Sequence, residues 1–171
     1  MLVEVKIDSV RVSLMSQHRI VVLKETDAPR YLPIWIGPFE ADAITIELQG
    51  VEVQRPLTHD LLKAIIHQLD AEIAQVAITE LRNDTFYALI TLRVNGRRVE
   101  VDARPSDAIA LAVRARVPVY VDETVMEEAA ITPEPDLEGG EALAEEAEGA
   151  NIAAPEAFRD FLEGLDLSDL Q

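Results

Sequence analysis

The chain has 171 residues, 49% of them apolar, and no cysteine. It can bury one sizeable core, but disulfides and thiolate metal sites are excluded, as is a helical membrane span, which needs about 18 or more consecutive apolar residues. The formal net charge of −17 belongs mostly to the tail: residues 1–122 carry 14 Lys/Arg against 17 Asp/Glu, whereas residues 123–171 carry one Arg against 15 acids. A nearly neutral body can still hold a local basic cleft.

The start, Met1-Leu2-Val3-Glu4-Val5-Lys6, lacks the basic opening and long apolar stretch of a secretory signal, so a cytoplasmic protein is expected. Residues 1–12 alternate Val3, Val5 and Ile7 with Glu4, Lys6 and Asp8, which predicts a strand. Residues 20–24 give a second strand, joined to the first as a hairpin through a loop around Ser16-Gln17-His18. Asp27-Ala28-Pro29 is a turn, and residues 31–36 form a third strand that Pro33 confines to an edge or a bulge. Gly37-Pro38 ends it, and residues 39–49 have helical spacing up to Gly50.

Beyond Pro56, Thr58 or Asp60 caps a helix to Asp70, with Leu61, Leu62, Ile65, Ile66 and Leu69 as its apolar face. Residues 73–81 and 85–94 are strands, and Asn95-Gly96 marks a tight hairpin into the next strand. There Val99, Val101 and Ala103 alternate with Glu100, Asp102 and Arg104. Pro105 suits the first position of a helix to about Arg116, which places Asp107 in its first turn near the positive end of the dipole. Residues 118–121 make a last short strand.

An offset of 65 residues superposes Ile34, Ile36, Asp42 and Ile44 on Val99, Val101, Asp107 and Ile109. The expected fold is therefore α+β: a duplicated unit of three strands and a helix, mostly antiparallel sheet with packed helices, and one extra helix between the copies. Past Val121 the composition turns to Glu and Ala with Pro133, Pro135 and Gly139-Gly140. This gives a body at residues 1–126, a flexible acidic linker at 127–154, and a short amphipathic helix at 155–171 carrying Phe158, Phe161, Leu162 and Leu165. That last segment either folds back on the body or a sister subunit, or docks on a partner.

Four stretches carry a family resemblance. They are Arg30-Tyr31-Leu32-Pro33-Ile34-Trp35-Ile36-Gly37, Arg55-Pro56-Leu57-Thr58-His59-Asp60-Leu61-Leu62, Thr85-Phe86-Tyr87-Ala88, and Asp102-Ala103-Arg104-Pro105-Ser106-Asp107-Ala108-Ile109-Ala110-Leu111-Ala112. In order and spacing they resemble the bifunctional nuclease domain family over about residues 1–126. The resemblance implies a small α+β domain and cleavage of RNA and DNA. It assigns no catalytic residues, so the chemistry must come from the side chains.

Phosphodiester hydrolysis needs an activated water and neutralised phosphoryl oxygens, work often done by carboxylate-held Mg²⁺ or Mn²⁺. Asp102 and Asp107, flanking one strand-to-helix corner, are the candidate cation ligands, with Asp60 or Glu40 as neighbours. His59 is the candidate general base or acid, histidine being the side chain that changes charge near neutrality. Arg55 and Arg104 are candidate phosphate clamps. Each has a plainer role too: Asp107 and Asp42 suit helix N-termini, Thr58-His59-Asp60 suits capping, Asp102 and Arg104 suit a strand-face ion pair, and Tyr31 and Trp35 suit a core. His18 and His67 read as loop and helix-surface residues. No Gly-rich phosphate loop, His-Glu-x-x-His, Gly-x-Ser-x-Gly or nucleophilic cysteine points to other chemistry. The competing expectation is a non-enzymatic homo-oligomer whose acidic tail binds a protein partner.

Overall fold

In the computed structural model, which describes residues 1–12 and 18–132, the elements follow the alternations in the sequence closely. They are β1 (Leu2–Val12), β2 (Arg19–Glu25), β3 (Tyr31–Ile36), α1 (Pro38–Leu48), α2 (Thr58–Gln68), β4 (Ala71–Arg82), β5 (Thr85–Val94), β6 (Arg97–Ala103), α3 (Pro105–Ala115), β7 (Val119–Asp122) and α4 (Glu123–Ala129). The fold is α+β. Seven strands form one sheet in the order β3-β2-β1-β7-β4-β5-β6, antiparallel except for the β4–β7 pair. No helix among the described residues is long and apolar enough to cross a membrane.

This order carries the duplication. β1, β2 and β3 lie on one side of β7 in mirror order to β4, β5 and β6 on the other, and each triplet runs into a helix that opens on proline. The register differs from the 65-residue offset: the structurally equivalent Pro38 and Pro105 stand 67 apart, because both occupy the first turn after an extended N-cap, Gly37 and Arg104. The equivalent of Asp107 is thus Glu40 rather than Asp42. Buried Ala41, Ala43 and Ile44 then fall on buried Ala108, Ala110 and Leu111.

Side chains on one sheet face, among them Val5, Leu23, Leu32, Val76, Ile78, Ala88 and Val121, join α1, α3 and α4 in a single core. Register and pleat send Tyr31, Lys24, Ala77, Thr91 and Asp102 to the opposite face, which no helix of the described chain covers. Pro33 sits in the edge strand β3, as its missing N–H requires, opposite Val22. The far side of β3 is closed at Tyr31, which exchanges two 2.8 Å backbone hydrogen bonds with Ile131. Among the described residues β6 pairs with β5 alone, and none of them lies along its other edge.

Two expectations change. Residues 127–129, expected at the start of the linker, belong to α4: Asp122 caps the helix by accepting from the Thr124 N–H, and Val125, Met126 and Ala129 are buried. Arg30 ties the helix down by pairing with Glu25 at 2.5 Å and Glu123 at 2.9 Å. The linker and terminal helix expected beyond residue 132 lie outside the described residues. The apolar face of α2 is the second change. Ile66 reaches the core, but Leu61, Leu62, Ile65 and Leu69 stay exposed, and His59 is the helix's one buried residue.

What anchors α2 is polar. Arg114, 4% exposed, donates to Asp60 Oδ1 at 2.6 Å, to the Ala43 carbonyl at 3.0 Å and to the Ala110 carbonyl at 2.9 Å, so one guanidinium joins α1, α2 and α3. Lys63 donates to the Arg114 carbonyl at 2.6 Å. Removing a buried cation leaves its acceptors unpaired. Arg114→Ala is expected to cost about 3–5 kcal/mol in urea unfolding, whereas the equally drastic Arg98→Ala on the exposed β6 surface costs less than about 1 kcal/mol.

Candidate functional site

β3 and β6 are opposite edges of the sheet, yet the residues that follow them meet. The sheet twists and coils far enough, with bulges in β1 and β4, to bring these two corners together over the first turns of α1 and α3. Glu40 and Asp107 occupy matching positions in those turns, where a carboxylate interacts well with the helix dipole. Arg104, the extended residue before α3, reaches both: its Nε donates to Asp107 Oδ2 at 2.6 Å and an Nη to Glu40 Oε1 at 2.7 Å. The other Asp107 oxygen, Oδ1, lies 3.0 Å from His59 Nε2.

The result is a chain Glu40–Arg104–Asp107–His59 drawn from α1, the β6–α3 corner and α2. An ionised carboxylate only accepts, so Nε2 carries a proton in this contact. Burial pushes the Asp107 carboxyl up, but the hydrogen bonds from Arg104 and His59 outweigh it and hold the group below the usual carboxylate range. Arg104 is raised further above its already high value by Asp107 and Glu40, so it is a permanent cation. The His59 side chain is 10% exposed and that of Arg104 65%, which leaves the guanidinium facing solvent.

Asp60 points elsewhere. It accepts from the Leu57 N–H at 2.8 Å and from Arg114, so it is a third-position helix acid rather than the cap itself. Burial raises its pKa, and the Leu57 and Arg114 contacts bring it net below the ordinary value. Arg55 lies exposed in the segment between α1 and α2 and makes no ion pair with the described residues.

The expected Asp102–Asp107 pair does not form. Asp102 stands opposite Leu89, one residue out of phase with the core-facing Ala103–Ala88 pair, so the pleat turns it to the helix-free face. It does not pair with Arg104 either. Both Asp107 oxygens are engaged, and among the described residues no three His, Asp or Glu side chains are grouped to hold a metal ion. An Mg²⁺ or Mn²⁺ ion held by Asp102 and Asp107 does not fit this arrangement.

Gly37 is the participant that residue chemistry did not single out. A Cβ there would collide with the Glu40 carboxylate, which folds back over the N-cap. The Gly-Pro-x-Glu order was the available signal.

A model of the bifunctional nuclease domain matches residues 21–134. An uncharacterized protein of Mycobacterium tuberculosis strain H37Rv is 39% identical over 170 residues, 98% of both chains. Bifunctional nuclease 1 of Oryza sativa subsp. indica is 28% identical over 111 residues, 63% of this chain and 34% of that protein. Bifunctional nuclease 2 of Arabidopsis thaliana is 29% identical over 110 residues, 62% and 33% respectively. The chain thus spans about a third of the plant proteins it resembles.

Two outcomes follow from the geometry. Carboxylates with lowered pKa values contribute stability above the ordinary Asp value of about 3.9 and lose it as pH falls through their folded values. Urea unfolding between pH 2 and 6 should show this acid-side decline, and it should flatten in Asp60→Asn/Asp107→Asn. Gly37→Ala should displace Glu40 from Arg104, seen as a shifted Arg104 guanidinium NMR signal in a still folded protein.

Proposed function

Because the chain belongs to the bifunctional nuclease domain family, we propose that it hydrolyses phosphodiester bonds of RNA or DNA at the Glu40–Arg104–Asp107–His59 cluster. The observation that supports this most is the His59–Asp107 dyad beside a solvent-facing guanidinium. Asp107 fixes the imidazole tautomer through Nε2. Nδ1 then accepts the proton of the attacking water or hydroxyl and returns it to the leaving oxygen. Arg104 neutralises the phosphoryl oxygens as charge builds on them, turning from its carboxylates toward the substrate. Glu40 and Asp107 hold it at the mouth of the site until then.

Arg55 extends the phosphate-binding surface in this proposal, and Asp60 acts at one remove by anchoring the helix that carries His59. No step is routed through a divalent cation. A cytoplasmic setting and self-association are further parts of the proposal. Self-association is supported by the exposed Leu61, Ile65 and Leu69 of α2, which are 54%, 47% and 69% exposed. The same surface favours the second reading, a non-enzymatic oligomer that captures a protein partner.

Cleavage of labelled RNA and DNA by purified protein separates the two. His59→Ala and Asp107→Asn should lower kcat roughly 10²- to 10⁴-fold, and Arg104→Ala about 10²- to 10³-fold. Asp102→Ala should stay within about twofold of wild type. No cleavage by the wild type would favour the oligomer, and an inactive Asp102→Ala would restore the paired-carboxylate cation site.

A further inference from the structure

The corner where the two halves meet also holds a pocket of about 260 Å³ beside Arg104. Its walls include Ile36 of β3, Phe86 of β5 and Pro105 of α3, and its polar residues include Ser106 and Asp84. Ser106 is 5% exposed as a residue, and its hydroxyl makes no hydrogen bond to the described protein. Its Oγ is not sealed from water, so the hydroxyl is available to a group that enters the pocket. Ser106 lines the pocket, so the pocket is where a partner would come from.

From this pocket we infer a binding site for a single unpaired nucleobase of the nucleic acid strand. The inference rests on the nuclease reading for its position, since Arg104 at the rim would hold the adjoining phosphate. Charge selects the base over the phosphate itself as occupant: Asp84 lines the pocket, while Glu40 and Asp107 already offset the one guanidinium. A neutral planar ring fits apolar walls with a few polar groups at its edge. A paired base has its hydrogen-bonding edge occupied by its complement, so the strand must be open at this point.

The polar groups also set a preference. A carboxylate accepts hydrogen bonds but cannot donate them, so Asp84 rewards an exocyclic amino group, as on adenine, cytosine or guanine, over uracil or thymine, whose one edge donor, N3–H, lies between two carbonyl oxygens that repel the carboxylate. The Ser106 hydroxyl serves either as donor or acceptor and adds to the hold without choosing. Asp84 is placed by the turn between β4 and β5, where Asn83 and Asp84 both adopt positive φ. Asn tolerates that backbone as Asp does, which makes Asp84→Asn a clean substitution.

The test is calorimetric titration of the full chain with adenosine, cytidine and uridine 5′-monophosphates. Binding of the amino-bearing nucleotides should be several-fold tighter than that of the uridine nucleotide. Asp84→Asn should bring the ratio close to one, and Ser106→Ala should weaken all three with the fold unchanged by circular dichroism. Equal binding of the three by wild type, or an unchanged ratio in Asp84→Asn, overturns the inference. His59→Ala separates it from the nuclease reading. If that variant loses cleavage but keeps the nucleotide ratio, the pocket is supported. If wild type cleaves RNA without discriminating nucleotides, the pocket falls and the nuclease reading stands.

Discussion

Arg114 is the interaction on which the rest depends. Its three hydrogen bonds reach an acid on α2, a carbonyl on α1 and a carbonyl of its own helix, all in a nearly solvent-free position. Most large apolar side chains of α2 face outward, so its attachment leans on polar contacts more than that of α1 or α3 does. The helix delivers His59 to Asp107, so the geometry of that contact leans on the cation that holds the next residue, Asp60. Coulomb attraction in a region of low dielectric does here what side-chain packing does for α1 and α3.

The second organising fact is the approximate twofold relation between the halves. Each half contributes a strand, a proline-initiated helix and a first-turn acid, and the two acids converge on one arginine. The relation breaks at the residue before each proline. Gly37 has no side chain and lets Glu40 fold back, whereas Arg104 supplies the cation that both acids require. One asymmetric site thus sits on the seam of a nearly symmetric fold.

Most of the fold was legible because its signals are local. Alternation in β1, β5 and β6, the Asn95-Gly96 turn with both residues at positive φ, and proline at the first position of α1 and α3 all act within a few residues. α4 is legible in its cap, Asp122, and in the helical spacing of Val125, Met126 and Ala129, but the acidic composition around them has the pattern of a linker. His59, Asp107 and Arg104 came from motif chemistry, and the structure joins them. The misplaced Asp102 shows the limit. Nearness in sequence put it beside Asp107, but whether its side chain faces the core or the bare side of the sheet depends on pairing with β5 from residues far along the chain.

The two margins of the sheet are finished differently, and this bears on how the protein keeps from sticking to itself. The β3 margin is sealed where its own backbone accepts Ile131. Among the described residues the β6 margin has no such cover, and Val99 and Val101 there are 42% and 41% exposed. An incoming strand would find them attractive were they not interleaved with Arg97, Arg98, Glu100 and Asp102, whose hydration and mixed charge oppose strand addition. Resistance of this edge to strand addition therefore resides in charges that take no part in the catalytic proposal, and neutralising them would invite fibril-like stacking through the strand that leads into the site.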